Sequence, residues 1–417
     1  MDKPQQTNNE ARAVVEKTAR VSYGKLLALL AARSKDIAAS EDALADAFAA
    51  AIEKWPDTGV PKSPEAWLLT AARRKLIDQS RRTATSVRAK PELERVMDEL
   101  QSRMTPDASG DQLPDERLKL MLICAHPAID PAIRTPLILQ TILGFDAQRI
   151  ARVFLTAPAT MSQRLVRAKR KIAEAGIPFE TPEKSVLAER IAAVLDAIYA
   201  AFSAGVDDQT AAGAEFADEA LFLGELVIQL LDDHPEAYGL FALMLYIRSR
   251  REAFRPGGVY TPMHKQDTAL WDQKMIARAE HWLIEASKYH TPGRYQIEAA
   301  IQSAHITAKT TGEFTVDRVL HLYDQLLVIA PTTGARVGKA GLMSQLGMAQ
   351  EALDTLEGID EGHAKHYQAY WAVRGHALAQ LGRNDLADRA FDLAITLSDD
   401  PSVRRFLIEQ RALIGRR

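Results

Sequence analysis

Apolar residues recur at spacings of three and four through almost every segment of the chain, and no long stretch alternates with period two. That pattern predicts amphipathic helices throughout and an all-α fold. Leu187, Ile191, Val194, Leu195, Ile198 and Phe202 form one such stripe. The Val/Ile/Thr-rich runs that mark strands are missing. Pro and Gly gather in clusters at 56–64, 106–114, 256–258 and 331–334, which punctuate the helical pattern. Linkers are expected near 84–112 and 176–184, and a loop near 255–266.

Two basic helices stand out. In the first, predicted near 159–175, Met161, Leu165, Ala168 and Ile172 fall on one face, and Gln163, Arg164, Arg167, Arg170 and Lys171 lie off it. Immediately upstream, Phe145 to Leu155 forms a second amphipathic helix through Ile150, Ala151 and Phe154, with Asp146 placed as its N-cap. Thr156-Ala157-Pro158 joins them, and Pro158 suits a helix start. This is a helix-turn-helix pattern whose second helix can enter a major groove. Its Arg and Gln side chains can reach base edges, while Lys169 and Lys171 are expected at phosphates. The other basic helix starts at Pro64 and carries Arg73, Arg74, Lys75, Arg81 and Arg82. It follows an acidic amphipathic helix from Glu41 to Trp55. Trp67 reads first as a core anchor and second as a base-stacking platform.

The C-terminus repeats. Trp371, Gly375, Leu378, Gly382, Ala387, Phe391 and Ala394 are spaced like the tetratricopeptide consensus, and Gly312, Gly347 and Gly382 are 35 apart. The ideal period is about 34 residues. In such arrays each helix pair buries its stripe on the next pair.

Charge sharpens this picture more than composition does. The 417 residues carry a formal net charge of −3, which alone suggests no nucleic-acid partner. The distribution does: 163–171 holds five basic residues and no acid, whereas 191–247 holds ten carboxylates and neither Lys nor Arg. The first segment suits DNA and the second would be repelled by it. Opposite charges joined by a short linker attract, so residues 185–247 are expected to dock against the N-terminal part. One cysteine, Cys124, excludes an intrachain disulfide and a Cys-based zinc site. Cys124 and His126 read as helix-end packing, and no metal site or cofactor is implied. Pro256-Gly257-Gly258 lacks the Lys-Ser/Thr of a phosphate loop, and no nucleophile elbow occurs, so an enzyme is not expected. No signal peptide and no membrane span is visible, so no membrane partner is expected and a cytoplasmic location is.

These residues carry a family resemblance. The run EDALADAFAAAIEKW resembles region 2 of the extracytoplasmic-function sigma factors, the part of the sigma-70 family that docks on RNA polymerase. WLLTAARRKLIDQSRR resembles its −10 reading helix, and FDAQRIARVFLTAPATMSQRLVRAKRKI resembles region 4, which reads the −35 element. DERLKLMLICAHPAIDPAIRTPLILQTILGF and the segment from 183 onward are similar to the subgroup with a long tetratricopeptide-like extension. The resemblance implies a region 2 domain over 1–95, a linker over 96–112, a region 4 domain over 113–180, a helical extension over 183–300 and repeats over 301–417. It implies Asp42, Asp46 and Phe48 at core RNA polymerase, and Arg73, Arg74, Lys75, Arg81 and Arg82 at the −10 region. At the −35 region it implies Gln163, Arg164, Arg167, Lys169, Arg170 and Lys171. Promoter DNA is the second expected partner, and the repeats offer a surface to a protein or peptide. The expected activity is non-enzymatic, the direction of transcription initiation under regulation by the extension. The alternatives are a sigma-like decoy or adaptor, and a repeat scaffold with a vestigial DNA-binding module.

Overall fold

A computed structural model describes residues 3–84, 115–154, 156–207, 211–231, 233–312, 316–359, 364 and 366–414. Among these residues every regular element is helical, so the fold is all-α. The expected linker 96–112, Leu155, Asp208 and Asp232 lie outside the described residues. The chain divides into two compact units, 1–220 and 221–417.

The first unit opens with α1 (Lys3–Ser34), α2 (Ile37–Thr58) and α3 (Pro64–Ala84), which pack on one another. The Asp36 side chain caps α2 by accepting from the Ala39 N–H at 3.0 Å. Ile37, Ser40, Ala43, Leu44, Ala47, Ala51 and Trp55 are buried along one side of α2, which turns Asp42 and Asp46 outward. Next come α4 (Arg117–Cys124), α5 (Pro131–Leu143), α6 (Ala147–Val153), α7 (Pro158–Glu174) and α8 (Lys184–Asp207). α5 is capped by Asp130 and ends at Gly144, whose φ of 70° is left-handed. Cys124 closes α4 fully buried, its thiol 3.6 Å from Thr141 Oγ1 and pushed up to about 12 by burial. α9 (Ala211–Leu230) gives its first half to this unit.

In the second unit α10 (Pro235–Ser249) is buried at every position from Leu240 to Tyr246, between α11 (Gln273–Ser287) and α12 (Arg294–Thr311). A helix apolar on all sides suits that place. The expected loop follows α10 and runs on to Trp271, because it is anchored: Trp271 Nε1 donates to Gln266 Oε1 at 3.2 Å and Tyr260 packs on Phe254 and Phe406. The remaining helices are α13 (Val316–Ile329), α14 (Thr333–Gln345), α15 (Ala349–Glu357), α16 (Gln368–Gln380), α17 (Asn384–Thr396) and α18 (Pro401–Ala412). Gly312, Gly347 and Gly382 each carry a left-handed φ, of 78°, 80° and 69°. Only glycine adopts that conformation cheaply, which accounts for its return every 35 residues. Phe391 of α17 lies against Gly375 of α16, where a Cβ would come within 3.0 Å of its ring.

Candidate nucleic-acid interface

α2 and α3 place the region 2 candidates. Asp42 and Asp46 are exposed on α2, and Phe48 is half-buried. Asp46 meets Lys75 of α3, with Nζ 3.3 Å from Oδ2. Both side chains are half-exposed, so this pair contributes at most about 1 kcal/mol. Arg74 is exposed. Arg73 is half-buried, and desolvation together with the neighbouring Arg33 lowers its pKa to about 10. Arg81 and Arg82 fall in the last turn of α3, and their side chains are outside the described residues. Trp67 meets the buried Trp55 edge-on at 5.5 Å, as a core anchor does.

α6 and α7 form the helix pair. Asp146 caps α6 by accepting from the Arg149 N–H at 2.7 Å, and Pro158 is the first residue of α7. Met161, Leu165, Ala168 and Ile172 are all buried. Gln163, Arg164, Arg167, Arg170 and Lys171 are all exposed on the other side. Of these, Arg170 makes a solvated pair with Glu174 at 3.3 Å.

Lys169 departs from the expectation that it faces DNA phosphates. It is buried, with 9% of its surface exposed, and its Nζ is ion-paired to Glu41 Oε2 of α2. The physical reason is its register. Lys169 follows Leu165 by one turn and adjoins Ala168, so it sits at the edge of the buried stripe and its long stem is drawn inward. Glu41 has its other oxygen, Oε1, buried without a hydrogen-bond partner. Burial raises the Glu41 pKa, the attraction of Lys169 offsets part of that rise, and Asp42 and Asp36 add to it. Sequence reasoning assigned Glu41 no role. Its position four after Ile37 and three before Leu44 already turned it toward the core.

The same packing recurs where α1 crosses α5. Gly24 of α1 lies directly on the backbone of Ile142: a Cβ there would collide with the Ile142 carbonyl oxygen and come within 2.9 Å of its Cα. α8 packs on α4 and α5. Phe145 stacks against Phe216 at 5.2 Å, the Arg149 guanidinium lies over the Phe145 ring at 3.8 Å, and its Nη2 is 3.6 Å from Glu215. The first helices of the acidic stretch are therefore seated on the helices that precede and include α6. Among the described residues no cluster of ligating side chains could hold a metal, and no helix is long and apolar enough to cross a membrane.

Residues 20–85, the end of α1 with α2 and α3, match the Sigma-70 region 2 family, and residues 190–287 match a family of unknown function (DUF6596). The first match supports a sigma-70 family factor through the region 2 segment that α2 and α3 form. Over 380 residues the chain is 34% identical to an uncharacterized protein of Rhizobium meliloti (strain 1021), covering 90% of this chain and 89% of that one. The chain belongs to the same family as that protein. No solved structure matches it.

Proposed function

We propose that the protein is an extracytoplasmic-function sigma factor that binds core RNA polymerase, directs it to promoters, and is regulated by a tetratricopeptide-like C-terminal extension. The observation that carries this reading is the arginine-rich outer face of α7, exposed on a helix whose opposite face is buried beneath a capped partner helix. The functional division follows the expected boundaries, 1–95, 113–180, 183–300 and 301–417. Asp42, Asp46 and Phe48 meet polymerase. Arg73, Arg74, Lys75, Arg81 and Arg82 hold the opened −10 strand, and Gln163, Arg164, Arg167, Arg170 and Lys171 read the −35 duplex. No chemical step is involved, the work being charge neutralisation and base recognition in the cytoplasm. Lys169 joins the phosphate contacts only once it leaves Glu41, so the described form is a closed one and promoter binding requires α7 to separate from α2. A decoy would have no use for the exposed bases on α3 and α7, which favours the sigma reading.

Run-off transcription with purified core polymerase and genomic promoter fragments tests this. The expected result is weak promoter binding by the protein alone and specific open complexes with core enzyme. Core enzyme that adds no promoter selectivity overturns the reading. Asp42→Lys with Asp46→Lys should weaken association with core polymerase at least tenfold and leave the fold intact, since both side chains are exposed. A pull-down against core enzyme reads this.

Separately, Arg164→Ala or Arg167→Ala should cost about 1–3 kcal/mol of promoter affinity and relax preference at one −35 position. Lys171→Ala should weaken all sequences alike and lower the salt slope by about one contact. Titrations over a series of salt concentrations separate the two behaviours, and equal sequence-blind losses would leave only nonspecific attraction.

A further inference from the structure

The second unit contains a groove of about 1090 Å³ among the loop after α10, α12, α14, α16 and α18. The chain has 55 Asp and Glu residues, yet none lines this groove among the described residues. Its cations are concentrated on one wall. Gln302, His305 and Lys309 follow one another along a single face of α12, with Arg250 at the end of α10 and His264 and Lys265 from the loop beside them.

Among the described residues none of the three permanent cations has a carboxylate partner. Arg250 Nη2 donates to Gln302 Oε1 at 2.6 Å and its Nε to the Tyr246 carbonyl at 3.3 Å, both neutral acceptors. Lys309 Nζ donates to the His264 carbonyl at 2.8 Å. Lys265 is exposed and its ammonium has no partner among the described residues. A shielded guanidinium without a counter-ion is costly unless an anion completes it. The histidines report the same surplus: burial lowers His264 and His305, and Lys265, Lys309 and Arg250 lower them further. The rest of the groove differs in character. Gln345 and Gln410 present amides, Gln380 already donates to the Ser344 carbonyl at 2.9 Å, and Tyr323, Tyr367 and Phe406 present rings.

We propose that this groove binds an extended acidic peptide segment of a partner protein, its carboxylates on Arg250, Lys265 and Lys309 and its backbone along the glutamine amides. At about 1090 Å³ the groove is close to the upper end of the roughly 300–1,000 Å³ of small-molecule sites, so its lining and not its volume selects the ligand. A phosphate or other small anion would engage only the cationic wall and leave the amides and rings unused. Carboxylates bound by charged donors, with amides bonding the peptide backbone, use the whole lining. The site concerns the second unit alone, so failure of peptide binding leaves the transcription test untouched.

The test is fluorescence anisotropy of the full chain with a labelled ten-residue peptide of alternating Asp/Glu and Leu/Tyr, against its Asn/Gln counterpart. The acidic peptide should bind saturably and at least tenfold more tightly than the amide one at low salt. Lys265→Glu with Lys309→Glu, both exposed positions, should weaken it at least tenfold, and Lys309→Gln alone should cause part of that loss. Arg164→Glu on α7 should leave it unchanged. Equal binding of the two peptides, indifference to the lysine changes, or loss in Arg164→Glu would overturn the proposal. So would complete displacement by tripolyphosphate at its own low-millimolar affinity with no dependence on peptide length, which would mark a small-anion site.

Discussion

Gly24→Ala should destabilise the first unit by about 3 kcal/mol, against the ordinary direction for this change. Within a helix, Gly to Ala stabilises by roughly 0.5–1 kcal/mol, because alanine loses less backbone entropy. At Gly24 the added Cβ meets the carbonyl oxygen of Ile142, which is backbone and cannot rotate away. Overpacking of this kind costs about 1–3 kcal/mol, occasionally more, when neighbours must shift. Urea denaturation of the full chain reads the sign directly. Destabilisation means that α1 and α5 touch in solution as described, whereas stabilisation means that they are apart and the helices behave independently.

Lys169→Met should be the more damaging change, at about 3–5 kcal/mol, because removing one partner of a buried ion pair strands the other. Glu41 would be left without its cation and with neither oxygen satisfied. The double variant Glu41→Leu with Lys169→Met should recover most of that loss, since an apolar pair of similar volume is often neutral or better. A lysine that served only DNA would leave stability unchanged in the single variant, and the double variant would then show no rescue. The pH dependence has a definite sign. Glu41 is raised above its ordinary 4.5 in the folded protein. Its contribution is therefore fully present below 4.5 and is lost as pH rises through the folded value. Without Lys169 the folded value moves higher still, so the fall in stability should become larger and extend closer to neutral pH. Denaturation midpoints at a series of pH values in both proteins check this.

Much of the local architecture could be read from residue order. The Asp146 cap, the Pro158 start of α7 and the stripe Met161, Leu165, Ala168 and Ile172 occur as the helical period requires. The packing roles of Trp67 and Cys124 were legible too, because a large ring in an apolar stripe and a lone thiol between apolar neighbours have few other uses. The helix resembling the −10 reader was harder. Residue order shows that Arg73, Arg74 and Lys75 are basic, but not that Arg73 turns inward beside Arg33 while Arg74 faces solvent.

By itself the sequence determined the helices, their caps, the faces they bury and the family that the region 2 segment belongs to. All of these depend on neighbours within about one turn or on a contiguous motif. Only the tertiary structure decided what meets what at long range. Lys169 and Glu41 are 128 positions apart, and no periodicity links them. Helical phase can place a lysine at the edge of a stripe, but whether that edge faces water or a carboxylate depends on which helix packs there. The groove of the second unit has the same origin: its cations come from the end of α10, the loop and α12, and its amides from α14, α16 and α18. They become one surface only when the chain is folded.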